Sequence, residues 1–513
     1  MCVVTHKIST LQNLSHFLLR GGSSFVLADS SSLKTLTFSA HVMTEMYELA
    51  QPFYDSVAIV LDERMGRCLV ACRDFEPGQC IFEEDALVYA SYRKLSEGES
   101  FVSPEMEVMI TEAYKTTTKR IMPQMPNLLK SLAKLPKIAS LDTARCLIQL
   151  IAISSTVNVG SIDTFKMKML SQLSAANLEA CLNDVKLFRK KHPKWLPKTM
   201  KDAQVANLLG ILNTNQMELD ELGGSGLFVV AAITEHNCSP NSSFTTSGSR
   251  VFMAAIRPIK SGERISIDYS NGFYQDQAGR IDSLKRTYDF VCNCESCISP
   301  DSRRKFMCEH CGTGSICPPP YRVDQLDDRV IEQKWSCLQC SIEMSSEKCE
   351  SLVEYENSWM DTEFESLDHI LSRRNEQIMH QSHYLVFWAL SDITSQYLEC
   401  GNYIEAKRGM LETIALLDDC VQGFHHEKVL YLDKLGQIAV RLGEHELAKN
   451  SFRRAYEMSI GACGVSTPIT LKQKDMYENT PLTVEDLMTR YPTNNEEEDD
   501  QDEQDDEMED EWI

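Results

Sequence analysis

The sequence predicts an α+β protein: two β-rich blocks about 140 residues apart, a helical insert between them, a cysteine-rich stretch, and a helical carboxyl-terminal region. Three observations carry that expectation. Residues 57–92 contain the β-rich runs "VAIVLDE", "CLVACRD" and "CIFEEDALVYA", with Glu76-Pro77-Gly78 supplying turn chemistry between two of them. Residues 104–219 switch to apolar spacings of three and four, the period of helices packed on a core. From Glu235 to Cys297 the segments "EHNCSPN", "GERISIDY" and "TYDFVCNCESC" follow in order, joining a turn, a strand and a cluster of thiols.

Composition narrows the function classes. A chain of 513 residues can bury several cores, and 43% apolar with 25% charged residues is ordinary for a globular protein. No window holds eighteen apolar residues, so no membrane span is expected. The net charge is −24, and thirteen carboxylates with no base lie between Glu496 and Glu511, leaving about −11 for the rest. That balance argues against nucleic acid as the main partner, because phosphate recognition needs a basic surface, and it suits a basic partner. The nineteen cysteines fall partly in close pairs and no secretory signal is evident, so metal binding in a reducing compartment is expected rather than disulfides. No basic import cluster stands out, and both the cytoplasm and the nucleus are expected locations.

The organisation follows in chain order. Residues 1–56 are read as a disordered extension; up to Ala28 they carry Lys7 and Arg20 and no acid, a composition also found in transit peptides. Residues 57–100 form the first β-rich half and 101–219 the helical insert, in which Asp142 is expected to cap a helix through "TARCLIQLIAI". "NLEACLNDVKLFRK" reads as another helix, and "VANLLGILNTNQMEL" as the helix entering the second half at 220–275. Residues 276–300 carry the first cysteine cluster and 301–345 a second, ribbon-like one. Residues 350–478 are helical, with a Gly-x-x-x-x-Ala step at Gly401–Ala406 and again at Gly443–Ala448, the mark of tetratricopeptide-like pairs. Such helices either brace the rest or bind protein partners. Residues 490–513 are an acidic tail too polar and self-repelling to fold.

The thiols are the strongest chemical signal. Cys292, Cys294 and Cys297, spaced C-x-C-x-x-C, cannot complete a tetrahedral site alone, and Cys238 is the nearest fourth ligand. Cys308-x-x-Cys311 and Cys337-x-x-Cys340 are two knuckles separated by twenty-five residues, a four-cysteine zinc signature. Trp335 is expected to pack beside the second site, with Cys317 as a spare thiol or a substitute for one of its ligands. Two Zn2+ ions are therefore expected, the second with no catalytic role.

The order of these motifs resembles the carboxyl half of a SET domain with its post-SET zinc segment, and "MGRCLVACRDFEPGQCIFEEDALVYAS" from Met65 to Ser91 resembles the amino half. The wide separation of the halves and the downstream helices are most similar to the SET and MYND domain family. No cysteine lies between Cys80 and Cys146, so the MYND zinc finger of that family is absent. The resemblance implies a protein-lysine N-methyltransferase that uses S-adenosylmethionine on a lysine of a histone or another protein. It implies Tyr269 as the catalytic tyrosine, Tyr288 as a wall of the lysine channel, and Phe290 as a cover for the cofactor's adenine. It further implies cofactor contacts at Gly66, Arg67, Glu235 and His236. Two departures stand out: Glu235 replaces the family's asparagine, and Cys68 replaces the second glycine of Gly-x-Gly. They leave open an alternative, a catalytically inactive SET scaffold that binds partners through its helices. Glu263 and Asp268 are read as turn and strand residues, not as an acid pair.

Overall fold

The computed structural model describes residues 55–62, 66–93, 100–115, 121–138, 140–156, 164–219, 221–270, 273–321 and 335–491. The expected amino-terminal extension and acidic tail lie almost wholly outside these residues. Strands β1 (Val57–Asp62) and β2 (Gly66–Ala71) form an antiparallel hairpin, and β3 (Cys80–Asp85) and β4 (Val88–Ser91) follow the Pro77-Gly78 turn. The single β-rich run expected over "CIFEEDALVYA" is thus two strands. They separate at Ala86 and Leu87, whose amides are bonded to Ser249 O and Leu227 O.

The insert comprises α1 (Pro104–Tyr114), α2 (Met125–Ala133), α3 (Leu141–Ser155), α4 (Thr164–Gln172), α5 (Leu178–Lys191) and α6 (Asp202–Asn215). Helix α3 is buried from Asp142 to Ile153. Two of its buried polar side chains reach β4 and the chain just beyond it: Gln149 donates to Tyr89 O at 2.8 Å and Arg145 to Arg93 O at 3.0 Å. The cap of α3 differs from the sequence expectation. Ser140, in extended conformation, accepts from Thr143 N at 3.3 Å, whereas Asp142 is already helical and favours the first turn through the helix dipole. Helix α6 likewise stops at Asn215, because Gln216 turns extended and starts β5 (Gln216–Leu219).

The second half adds β6 (Gly224–Leu227), β7 (Glu235–His236), β8 (Ser242–Ser247), β9 (Arg250–Ala255) and β10 (Ser266–Ile267). Its strands close over those of the first half. The orders are β3-β9-β8 and β4-β6-β5, both antiparallel, while β7 pairs with β10 in parallel. Glycine at 224 is demanded by this closure, since a Cβ there would stand 2.0 Å from Ala90 O. One core unites both halves and the insert, with Leu69, Ile81, Leu147, Leu150, Leu227 and Met253 all buried. Most apolar positions of the insert are accounted for by that core.

Helices α7 (Gln277–Tyr288) and α8 (Glu295–Ile298) carry the chain through the first cysteine cluster. A small antiparallel sheet follows, β11 (Phe306–Met307), β12 (Ser315–Cys317) and β13 (Ser336–Cys337). The remaining helices are α9 (Ser346–Met360), α10 (Leu367–Arg374), α11 (Tyr384–Glu399), α12 (Tyr403–Cys420), α13 (His426–Arg441), α14 (His445–Cys463), α15 (Pro468–Glu478) and α16 (Val484–Arg490). The turns before α12 and α14 end on Gly401 and Gly443, both left-handed, and the alanines five residues on, Ala406 and Ala448, are fully buried between helices.

The helical region docks back on the first unit. Gly78 takes φ +82°, and its Cα approaches the end of α14 so closely that a Cβ would lie 2.3 Å from Ile460 O. Ser243 on β8 donates to Ala462 O. At the other end Tyr274, buried, donates to Ser382 O at 2.8 Å, and the ring of Phe273 meets His425 at 4.6 Å.

Candidate active site

The site forms where the chain crosses itself. Asn241, in the "CSPN" turn, is buried and works as a pin: its Nδ2 donates to Arg264 O at 2.7 Å and its Oδ1 accepts from Ser266 N at 2.9 Å. Those bonds draw the 264–269 segment under the 234–241 segment and set β7 beside β10, with His236 opposite Ile267. Glu84 fixes the other end of the crossing. This buried carboxylate of β3 accepts from Val230 N at 3.0 Å and from Ala231 N at 2.9 Å, in the turn that leads to Thr234. Burial pushes its pKa up to about 7 against the opposing pull of those amides.

Tyr269 is held at both polar ends by this crossing. Its amide donates to His236 Nδ1 at 2.9 Å and its hydroxyl donates to Thr234 O. Burial raises the phenol's pKa, and the neighbouring Tyr288 and Glu235 add to that rise, so the hydroxyl keeps its proton. Around it stand three rings: His236 at 5.4 Å, Tyr288 at 4.9 Å and, edge-on, Phe290 at 6.5 Å. Tyr288 closes α7, and Asp289 in the left-handed region turns the chain so that Phe290 faces back to His236 at 5.8 Å. The aromatic residues expected in the lysine channel and over the cofactor are therefore gathered about Tyr269.

His236 is buried and engaged by the protein at both ring nitrogens. Besides the Tyr269 amide, Asp268 Oδ1 lies 3.6 Å from Nδ1, and Nε2 is 3.2 Å from Cys238 Sγ. Any cofactor contact it makes is left to its backbone or ring face. Glu235 is paired with Arg264 at 3.3 Å. Gly66 opens β2 at φ +78° with no atom of the described residues within 4 Å of where a Cβ would point, the open backbone that close approach by a ligand requires. Arg67 beside it donates to Gln172 Oε1 at 3.0 Å, tying this lip to α4, and Cys68 is buried against Val60 of β1. Glu263 accepts from Lys260 N at 3.1 Å and Asp268 from Ser270 N at 2.8 Å, both local turn bonds.

The cysteines assemble as two separate fours. Cys238, Cys292, Cys294 and Cys297 have all their sulfurs within 4.8 Å of one another, as do Cys308, Cys311, Cys337 and Cys340. Four thiolates about 2.3 Å from a tetrahedral zinc stand about 3.8 Å apart. Cys238 and Cys297 are at 3.5 Å, and both Cys308–Cys340 and Cys311–Cys337 are at 3.8 Å, so both clusters fit such an ion. The second is a pair of knuckles: Gly314 N points at Cys311 Sγ at 3.2 Å and Gln339 N at Cys337 Sγ at 3.4 Å. Trp335 packs beside it against Phe306 at 5.5 Å, and Cys317, buried on β12, stands outside both groups. Near the first cluster lies the buried Arg280 of α7; burial lowers its pKa but Cys238, Asp301 and Cys297 raise it further, so a cation faces the sulfurs.

Several members of this site escape a reading of the sequence. Thr234 contributes a carbonyl, which every residue type carries. Arg264 and Arg280 match no motif. Glu84 and Asn241 lie inside recognised segments, and a buried acid amid the strand residues of "CIFEED" was the available signal for the first.

Comparison with known proteins agrees with this geometry. Residues 66–270 match the SET domain family model. The chain is 34% identical over 136 residues to the N-lysine methyltransferase SMYD2 of Homo sapiens, covering 26% of this chain and 31% of that protein. It is 27% identical over 148 residues to the SET domain-containing protein SmydA-8, isoform A, of Drosophila melanogaster, covering 27% and 30%. With the protein-lysine N-trimethyltransferase SMYD5 of Homo sapiens the figures are 35% over 80 residues, 15% and 19%. The matches thus span less than a third of these relatives' length. Among solved structures, Rubisco LSMT bound to AdoMet aligns at a TM-score of 0.27 with 13% identity, over 50% of this chain and 57% of that one, a likeness too loose to argue from.

Proposed function

This chain is a SET-domain protein related to the SET and MYND domain family, and from that premise we propose that it is a protein-lysine N-methyltransferase. The observation that supports this most is the gathering of Tyr288 and Phe290 about a half-buried, protonated Tyr269 at the chain crossing. S-adenosylmethionine, when bound, would supply a sulfonium methyl group: an uncharged amine bonds to its carbon as the C–S bond breaks, giving a methylammonium and a neutral thioether. Such a displacement needs alignment more than a strong acid or base. The hydroxyl oxygen of Tyr269, its proton committed to Thr234 O, keeps its lone pairs for the incoming amine and the methyl group. Tyr288 walls a passage that strips water from a lysine, with Phe290 over the cofactor's adenine, and desolvation lowers the ammonium's pKa toward the neutral, reactive form. Gly66 and Arg67 form the lip through which the cofactor's methionine end approaches, with Glu235 and His236 at the crossing below. The cysteine clusters hold zinc as structural ions, the first keeping Tyr288 and Phe290 in place. The substrate is a lysine in a histone or another protein.

A scaffold without catalysis is the second reading, favoured by Glu235, whose carboxylate is paired with Arg264 where the family carries an amide. Incubating the full chain with methyl-labelled S-adenosylmethionine and a cell extract separates the two. Label entering protein with wild type but not with Tyr269→Phe supports the enzyme. Absence of transfer, together with no cofactor binding by calorimetry, leaves the scaffold.

A further inference from the structure

The geometry points to His236 as a positioning residue that couples the Cys238 metal cluster to the backbone of Tyr269, so that filling the cluster sets where the tyrosine stands. Nδ1 accepts the Tyr269 amide at 2.9 Å, which makes it the unprotonated nitrogen of a neutral ring. The ring proton then sits on Nε2, and 3.2 Å away is Cys238 Sγ, in range for an N–H donor to a large sulfur. A metal-bound thiolate carries charge and accepts such a bond far better than a thiol does. Filling the cluster therefore tightens one end of the imidazole, and the other end holds Tyr269.

The Asn241 pin reaches the chain at Arg264 and Ser266, and Tyr269 lies three residues beyond it. Strands β7 and β10 are two residues each, and the main-chain bonds near them include Asn237 N to Ile267 O at 2.9 Å. The Tyr269 hydroxyl bonds to Thr234, two residues before His236, so both polar ends of the tyrosine hang from the same short segment. The catalytic consequence rests on the reading of Tyr269 given above; the mechanical link does not.

The test uses the full chain with both clusters filled by cadmium-113 and with 15N-labelled histidine and tyrosine. The expected result is a scalar coupling between the His236 Nε2 proton and a cadmium nucleus, and a shift of the Tyr269 amide resonance when cadmium is chelated. Two variants divide the link. His236→Asn keeps an acceptor for the Tyr269 amide but has no donor at the sulfur; it should release metal roughly 10–100-fold faster and leave the Tyr269 amide insensitive to chelation. His236→Gln reaches the sulfur with an amide N–H but loses the acceptor, and should hold metal while displacing the Tyr269 resonance. Absence of the coupling in cadmium-filled wild type overturns the proposal. So does a Tyr269 shift on chelation as large in His236→Asn as in wild type, which would route the effect through Tyr288 and Phe290. The wild-type coupling decides the matter if either variant fails to fold. A protein with the coupling but no methyl transfer would retire the enzyme reading alone.

Discussion

The hydroxyl of Tyr269 donates to the carbonyl oxygen of Thr234, thirty-five residues earlier in the chain. That bond spans the crossing of the two segments and aims the phenol's lone pairs away from Thr234, toward the space walled by Tyr288 and Phe290. Its existence depends on the Asn241 pin, the Glu84 cap and the parallel β7–β10 pair together.

Removing this hydroxyl should cost catalysis and little else. In Tyr269→Phe the ring keeps its contacts with His236, Tyr288 and Phe290, so the unfolding midpoint should stay within a few degrees. Methyl transfer should fall about 10²–10³-fold, the usual cost of one oriented polar group at a reacting centre. Steady-state kinetics beside a thermal melt checks both; an equal loss of folding and activity would contradict it.

Gly314 tests the second cluster without touching a ligand. A Cβ at this position would lie 2.4 Å from Cys337 Sγ and 2.8 Å from Cys311 Sγ. Gly314→Ala should lower metal content from two ions per chain to one by elemental analysis, leaving the Cys238 cluster filled. Two ions retained in the variant would show that the ribbon accommodates the added methyl, and one ion in the wild type would show that the ribbon cysteines are not a metal site.

The approach of Gly78 to Ile460 predicts how the helical region is held. Gly78→Ala adds left-handed strain at φ +82° and a clash with a carbonyl, about 1–3 kcal/mol together. Gly248→Ala, at φ +52° with open space around it, carries the strain alone. Hydrogen exchange over the end of α14 should rise in the first variant and not in the second. Equal behaviour would mean that this contact does not hold the docking.

Glu84 gives the fold a dependence on pH. Its folded pKa of about 7 lies above the ordinary carboxylate value, so the folded protein keeps a proton that the unfolded chain has lost. The associated stability is complete below the unfolded pKa and disappears as pH rises through about 7. Urea unfolding should therefore show roughly 2 kcal/mol less stability from this residue at pH 8 than at pH 5. Glu84→Gln should flatten that difference; an unchanged slope in the variant would assign it to other groups.

What the sequence determined by itself was whatever short-range chemistry dictates. Thiol spacing fixes a knuckle, glycine after a helix ends it, and apolar spacing separates strand from helix, so the two clusters, the Gly401 and Gly443 turns and the insert were legible. The resemblance added the meaning of "EHNCSPN" and "GERISIDY". Only the tertiary structure decided how the halves close across the insert, because the pairing of β3 with β9 depends on burying Ile81, Phe82, Val251 and Met253 in one core rather than on any local preference. It also decided that Ser140 and not Asp142 caps α3, since the two residues differ in backbone conformation and not in capping ability. The bonds that make the site belong to the same class. A main-chain oxygen at Thr234, a tautomer at His236 and a carbonyl of α14 against Gly78 have no signature in residue type, and they exist only once distant segments have been brought within hydrogen-bond reach.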